Sequence, residues 1–329
     1  MERVRLAVAG AGAFGREHLK RLAVMDGVEI AGVADTDPAA ARRAAEQHGI
    51  RVAAADAVAM VGEFRPDGLV VATPGHTHLP IALAALGLGI PVLVEKPIGL
   101  DAAEAARLMA AEAAGPAWVL PGHVLRFSAH HRMLLDIVRS PAVGAVLGFT
   151  SRRHRDDSHA VRYPEIDPVL MTMIHDIDLA IWMTGAGAAS AYALRRPEGR
   201  FRSDTLMLAS GAAGAAWHLT TAWTFPDLQP PPDRVEVVGE YGGVELEVEA
   251  LDPAVRPRGE EIDLAASPRT RSPPSRNISR AASAGASRRR RLLRGTPATG
   301  SPAPRRCWPR WPAGWSRWAK PPALPTSLG

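Results

Sequence analysis

Short runs of branched apolar residues at 4–9, 28–34, 68–72, 91–95 and 117–120 alternate with alanine-rich amphipathic stretches at 14–24, 38–48, 79–88 and 101–113. The runs at 4–9, 28–34 and 91–95 are nearly continuous in apolar residues, the pattern of strands buried on both faces of a parallel sheet. The stretches between them are long enough for helical crossovers, and right-handed crossovers place helices on both sides of that sheet. Asp37 ahead of Pro38, and Asp101, mark two helix N-termini. Residues 1–121 are therefore read as a doubly wound α/β domain of the Rossmann type.

Beyond about Arg126 the rhythm changes. Helices are predicted at 130–139 and 169–183, and strands at 146–152, 205–209, 215–223, 234–238 and 243–248, joined by Gly and Pro turns. Residues 122–264 read as an α+β domain with an open, mainly antiparallel sheet.

The turn Gly10-Ala11-Gly12-Ala13-Phe14-Gly15 follows the first strand and opens the first helix. That context gives a GxGxxG pattern its meaning: Gly10 for the tight turn, Gly12 for close approach of backbone to a diphosphate, Gly15 for helix–strand packing. Asp35 ends the second strand, where a carboxylate accepts hydrogen bonds from an adenosine ribose and repels a 2′-phosphate. The expected cofactor is NAD, in preference to NADP.

Glu95-Lys96-Pro97 falls at the carboxyl end of the strand at 91–95, the edge where open α/β sheets bind ligands. Residues 1–264 carry only two lysines, Lys20 and Lys96, among 25 Lys and Arg. A lone lysine at that edge stands out, because an amine, unlike a guanidinium, can be brought into the pKa range of proton transfer. His175, on the apolar helix predicted at 169–183, is a second acid–base candidate, with Asp178 three residues on and able to orient it.

Composition changes the picture mainly by dividing the chain. The overall +5 hides 25 Lys and Arg against 34 Asp and Glu in residues 1–264, a net −9, while residues 265–329 hold 14 basic residues and no acid. The single cysteine, Cys307, lies in that last segment, so the preceding residues offer no thiol for a disulfide, zinc site or nucleophile. His76, His78, His130 and His131 lack a carboxylate or thiol set at ligand spacing, and no metal is expected. Without an apolar run of membrane-spanning length or a signal-peptide pattern, the expected location is the cytoplasm.

Taken in order, the glycine turn, Thr73-Pro74 with His78, Glu95-Lys96-Pro97, Arg126-Phe127, and Ile174-His175-Asp176-Ile177-Asp178-Leu179 followed by Trp182 and Gly185 resemble the Gfo/Idh/MocA oxidoreductases. The resemblance covers residues 3–250. It implies hydride transfer between nicotinamide and a carbon of a sugar, cyclitol or related polyol, and assembly as a dimer or tetramer through the face of the second sheet. It further implies that Lys96 polarises the reacting hydroxyl, that His175 is the general acid/base, and that Glu95, Thr73, Pro74 and His78 line the cofactor cleft. Arg126, Met171 and Asp178 are implied beside the substrate. One departure stands out: relatives place an aspartate four residues before the histidine, and here that position is Met171. A binding protein of the same fold without turnover is the alternative reading.

Residues 265–329 are rich in Pro, Ser and Arg and show no core periodicity. Trp308, Trp311, Trp315 and Trp318 recur at spacings of three, four and three, and tryptophan has the single codon TGG. Read one base earlier, GC-rich codons ending in TG would give Leu or Val at helical spacing, which points to a shifted reading frame from about residue 265. The other reading is a disordered basic arm; nucleic acid is not the expected partner.

Overall fold

The computed structural model describes residues 3–163, 166–195, 205–225 and 230–248, all within one compact unit, Met1–Arg256. The reading of residues 265–329 falls outside the described residues.

The first sheet has six parallel strands: β1 (Val4–Ala9), β2 (Val28–Ala34), β3 (Val52–Ala54), β4 (Gly68–Val71), β5 (Val92–Val94) and β6 (Val119–Pro121), in the order β3-β2-β1-β4-β5-β6. Helices α1 (Ala13–Leu22), α2 (Pro38–His48), α3 (Ala57–Phe64), α4 (His78–Gly87) and α5 (Ala102–Ala114) connect them. Successive residues of one strand serve opposite layers. Ala7 and Ala9 of β1 pack with Met60, Leu79, Leu86 and Leu108 from α3, α4 and α5, while Val8 between them packs with Leu19, Ala44 and Ala45 from α1 and α2. Burying a side chain such as Leu19 fully contributes roughly 2–3 kcal/mol.

The pattern missed β3 and α3. The strand is only three residues long, and AVAMVGEF is apolar almost all round, so neither period shows. Asp56 nonetheless caps α3, its carboxylate accepting from the N–H groups of Val58 and Ala59.

After β3 the chain returns to the other side of β1, so the direction of winding reverses between β1 and β4. The carboxyl ends of β1 and β4 meet at that reversal, the place where such sheets take ligands.

The second sheet is built from β7 (Val146–Asp156), β8 (Ala188–Arg195), β9 (Thr205–Gly211), β10 (Ala216–Phe225), β11 (Asp233–Gly239) and β12 (Gly243–Val248), ordered β12-β11-β7-β10-β9-β8. Only the central β7–β10 pair is parallel; the other four pairs are antiparallel. Helices α6 (Ala129–Val138) and α8 (Ile174–Thr184) cover one face, with Leu134, Val138, Leu179 and Met183 against Phe149, Trp217, Leu219 and Val237; a short α7 (Ser158–Arg162) follows β7. On the opposite face His218 and Val238 are exposed, so the sheet is open as expected. The edge strand β8 is exposed at every position and has no alternation by which to find it in sequence.

Two boundaries differ from the pattern. β7 runs four residues beyond the predicted 152, because Arg153 and Arg155 point inward and are neutralised by carboxylates. The predicted helix at 169–183 is divided, with a wide π-helical turn at Val169–Met173 leading into α8. Among the described residues no helix is long and apolar enough to cross a membrane.

Candidate active site

At the end of β1 the backbone turns at Gly10 with φ +101°, and its N–H donates to the carbonyl of Ala34. A Cβ on Gly10 would lie 2.5 Å from the Ala72 carbonyl oxygen, and one on Gly15 only 1.8 Å from that of Gly10. Both positions are closed to side chains by the turn itself. A Cβ on Gly12 would meet nothing within 4 Å, and the N-terminus of α1 has neither a side-chain cap nor an acid in its first turn. Open space before uncapped helix N–H groups fits a diphosphate. The Asp35 carboxylate accepts from the N–H groups of Ala11 and Asp37, at 2.7 and 2.9 Å. Two oxygens with about four lone pairs keep capacity for ribose hydroxyls. These residues fit NAD.

Lys96 follows β5. Its ammonium donates to the main-chain carbonyl of Met171 at 2.9 Å, lies 3.5 Å from the Met171 sulfur, and stands 5.5 Å from the centre of the Phe14 ring. Burial pulls its pKa down to about 8, opposed by the nearby Glu95 charge and assisted by Arg155 and Arg153. Glu95 is itself engaged, 2.8 Å from Nε2 of His18 on α1.

Met171 sits in the π-helical turn, which Trp223 of β10 pins by donating from Nε1 to the Thr172 hydroxyl at 3.0 Å. The turn thus presents a backbone oxygen to Lys96. Four residues on, His175 starts α8 with Nδ1 buried and without a hydrogen-bond partner. Burial drives its pKa well below the ordinary value, and the charges of Lys96, Arg153, His123 and Arg155 add to the effect. The imidazole is therefore uncharged at neutral pH.

Asp178 does not orient His175. Its two oxygens accept from Nε and Nη2 of Arg126, at 2.8 and 2.7 Å, and the guanidinium lies 5.6 Å from the Trp182 ring centre. The spacing pointed to His175 alone; the fold brings up the guanidinium of Arg126, whose bidentate pairing is the stronger one. His123, just past β6, places Nδ1 3.9 Å from Asp178 Oδ2. Burial is the largest influence on His123 and lowers its pKa; Asp178 acts in the opposite sense.

His78 also differs from expectation. It is 2% exposed, and its ring nitrogens lie 2.8 Å from the Pro97 carbonyl and 2.6 Å from that of Thr73. It bridges the Thr73-Pro74 loop and the Lys96-Pro97 loop; both neighbours are carbonyl acceptors, so a neutral ring donates to one of them at a time.

Beneath the site, Arg153 donates to Asp176 and to Asp233, and Arg155 to Asp233 at 2.7 and 3.1 Å. Removing one member would strand a buried charge, which is far more costly than the pair is stabilising.

Comparison with known proteins bears on this geometry. Residues 4–123 match the family model described as "Oxidoreductase family, NAD-binding Rossmann fold". A relative from Saccharopolyspora erythraea, inositol 2-dehydrogenase 1, is 30% identical over 253 residues, 74% of each chain. The chain belongs to the Gfo/Idh/MocA family.

A second family member, an inositol 2-dehydrogenase from Ralstonia nicotianae, is 32% identical over 209 residues, which are 62% of this chain and 61% of the relative. The chain thus spans about three fifths of that relative's length. Among solved structures, scyllo-inositol dehydrogenase from Lactobacillus casei with bound NAD(H) and scyllo-inositol superposes with a TM-score of 0.69 at 19% identity, over 74% of this chain and 76% of that one. At that identity the likeness concerns the fold.

Within this Gfo/Idh/MocA chain, several groups of the site escaped the sequence reading. Arg153 and Arg155 look like solvated charges until Asp176 and Asp233 are brought to them, although the inward period of Phe149, Ser151, Arg153 and Arg155 was there to read. His18 and His123 carry no local signal. They reach the cleft only because α1 and the end of β6 converge on β5, where a Cβ on Gly122 would lie 3.1 Å from Glu95.

Proposed function

We propose that this protein is an NAD-dependent oxidoreductase that moves a hydride between the nicotinamide and a secondary alcohol or ketone of a cyclitol, sugar or related polyol. The observation that carries the reading is the convergence of one amine of lowered pKa, Lys96, and one uncharged imidazole, His175, at the carboxyl edge of a glycine-turn sheet. The inositol dehydrogenases among its relatives support the polyol class.

Gly10, Gly12, Ala13, Phe14 and Gly15 hold the diphosphate, Asp35 the adenosine ribose, and Thr73, Pro74 and Glu95 flank the rest of the cleft. NAD is favoured over NADP because the Asp35 carboxylate repels a 2′-phosphate. When bound, the cofactor supplies the carbon that takes up or returns the hydride. In oxidation Lys96 donates to the reacting oxygen and stabilises its developing negative charge, while the uncharged His175 accepts the hydroxyl proton; in reduction His175 returns it. Arg126 and Asp178, locked together, form one wall of the substrate site, and Met171 another.

Residues 1–121 serve the cofactor and 122–264 the substrate. The uncovered sheet face and the exposed edge strand β8, with Tyr192 and Leu194, suit contact with a second copy. The cytoplasm is the compartment in which the reaction is placed.

The test is a panel of inositols, other cyclitols and sugars incubated with NAD and followed by NADH absorbance. Turnover of a polyol supports the reading. Met171 motivates a second reading, a sensor that binds NAD(H) without turning a polyol over; NADH binding with no turnover across the panel would favour it.

A further inference from the structure

A polyol hydroxyl is both donor and acceptor, so a site that selects polyols must offer acceptors as well as donors. Around Lys96 the donors are plentiful. The carboxylates each have a basic partner in the protein that takes up part of their acceptor capacity and fixes their orientation: Glu95 with His18, Asp178 with Arg126, Asp176 with Arg153, and Asp233 with Arg153 and Arg155. Met171 contributes a thioether, a weak acceptor, and its carbonyl already holds Lys96.

One ring has the arrangement to supply a further, uncharged acceptor. His123 has Nδ1 buried, without a hydrogen-bond partner, and 3.9 Å from Asp178 Oδ2. A carboxylate on that side favours the tautomer with the proton on Nδ1, as carboxylate-backed histidines do elsewhere. The lone pair then falls on Nε2. Solvent reaches 22% of the side chain but not Nδ1, so the accessible part of the ring is away from Asp178. Burial and the charges of Arg126 and Lys96 keep the ring uncharged, the form in which Nε2 accepts. The residue before His123, Gly122, packs against Glu95, where a Cβ would lie 3.1 Å from the Glu95 Cα, so His123 stands one strand over from Lys96; the Lys96 charge acts on His123, and His123 in turn acts on His175.

We infer that His123, backed by Asp178, is a substrate-binding residue whose Nε2 accepts a hydrogen bond from the hydroxyl next to the reacting one, the acceptor that Met171 cannot provide. The substrate class narrows accordingly to compounds with vicinal hydroxyls, one handled by Lys96 and His175 and its neighbour read by His123. This inference rests on the dehydrogenase reading of the same site.

The test is calorimetric titration of NADH-saturated protein with myo-inositol and with its monodeoxy analogues, for wild type, His123→Phe and His123→Asn, alongside NADH titration of each. The phenylalanine ring keeps the volume and removes the acceptor; asparagine restores a carbonyl oxygen. We expect His123→Phe to weaken myo-inositol binding tenfold or more, to abolish the preference over one monodeoxy isomer, and to leave NADH affinity within twofold, with His123→Asn within about threefold of wild type. Unchanged myo-inositol binding in His123→Phe, or equal loss in both variants, overturns the assignment while leaving the dehydrogenase reading in place. Wild-type protein that binds NADH but no cyclitol or sugar sinks the dehydrogenase reading, and the assignment with it.

Discussion

The Lys96 ammonium, at the end of β5, donates to the backbone carbonyl of Met171 at 2.9 Å, so the amine is held by a main-chain oxygen of the π-helical turn that precedes α8. The position at which the family resemblance implies a carboxylate still supports the lysine, but through backbone. Truncating the side chain should therefore matter little: Met171→Ala is expected to keep kcat within about threefold, whereas Lys96→Ala should lose about 10³-fold or more, with NADH binding retained in both. Steady-state kinetics with a turned-over polyol, beside NADH fluorescence titrations, checks this.

Much of this site was legible in sequence because its parts are local. The glycine turn, Asp35 and Glu95-Lys96 each sit at the end of an apolar strand, and strand ends of a parallel sheet share one edge. What could not be read depends on contacts between distant segments. Asp178 was expected to orient His175, three residues away in sequence, and only the fold brought Arg126 to it; Arg153 and Arg155 had no visible role until Asp176 and Asp233 met them. The edge strand β8 and the three-residue β3 lacked a period for the same reason, being held by backbone pairing rather than by a buried face.

The lowered pKa of Lys96 sets a pH dependence. Its charged form, the one the proposed reaction needs to stabilise the reacting oxygen, predominates below about 8 and is lost above it, while His175 is already uncharged at neutral pH. kcat/KM for alcohol oxidation should therefore be flat through the neutral range and fall above about pH 8. Met171→Asp puts a carboxylate beside the amine, favours its charged form and should move that limb upward by about one pH unit. Profiles between pH 6 and 10 for both proteins decide the matter; coincident limbs would count against Lys96 as the titrating group.

The three glycines of the turn should separate by role. Gly15→Ala forces a Cβ to within 1.8 Å of a backbone oxygen and should destabilise the protein by about 3 kcal/mol or more. Gly12→Ala meets open space, so its urea midpoint should hardly move while the Kd for NADH rises tenfold or more. Equal NADH affinity in Gly12→Ala and wild type would show that the diphosphate lies elsewhere.

In the proposed cofactor site, removing the Asp35 carboxylate takes away both the ribose acceptor and the repulsion of a 2′-phosphate. Asp35→Ser should weaken NADH binding about tenfold and strengthen NADPH binding, shifting their ratio by a factor of roughly 10². Parallel fluorescence titrations with the two dinucleotides give that ratio directly.

His131, 5% exposed on α6 with Nδ1 3.0 Å from the Ser128 hydroxyl, has its pKa lowered to about 4, first by burial and then by the charge of Arg153. The folded state favours the neutral ring. Its contribution is present above the unfolded pKa near 6.5 and is lost as pH falls from there through about 4, by about 3 kcal/mol in total. Urea denaturation at pH 7, 6 and 5 should show this loss, and His131→Gln should flatten it.

The proposed reaction requires that one amine and one imidazole act together on a polyol bound beside NAD. The decisive measurement is NADH formation from an active inositol or sugar by wild type, Lys96→Ala and His175→Ala, each first shown to bind NADH normally. Polyol-dependent NADH formation by wild type is predicted, with kcat lower by about 10³-fold or more in Lys96→Ala and by about 10²-fold or more in His175→Ala. Undiminished turnover in both variants would contradict that reaction.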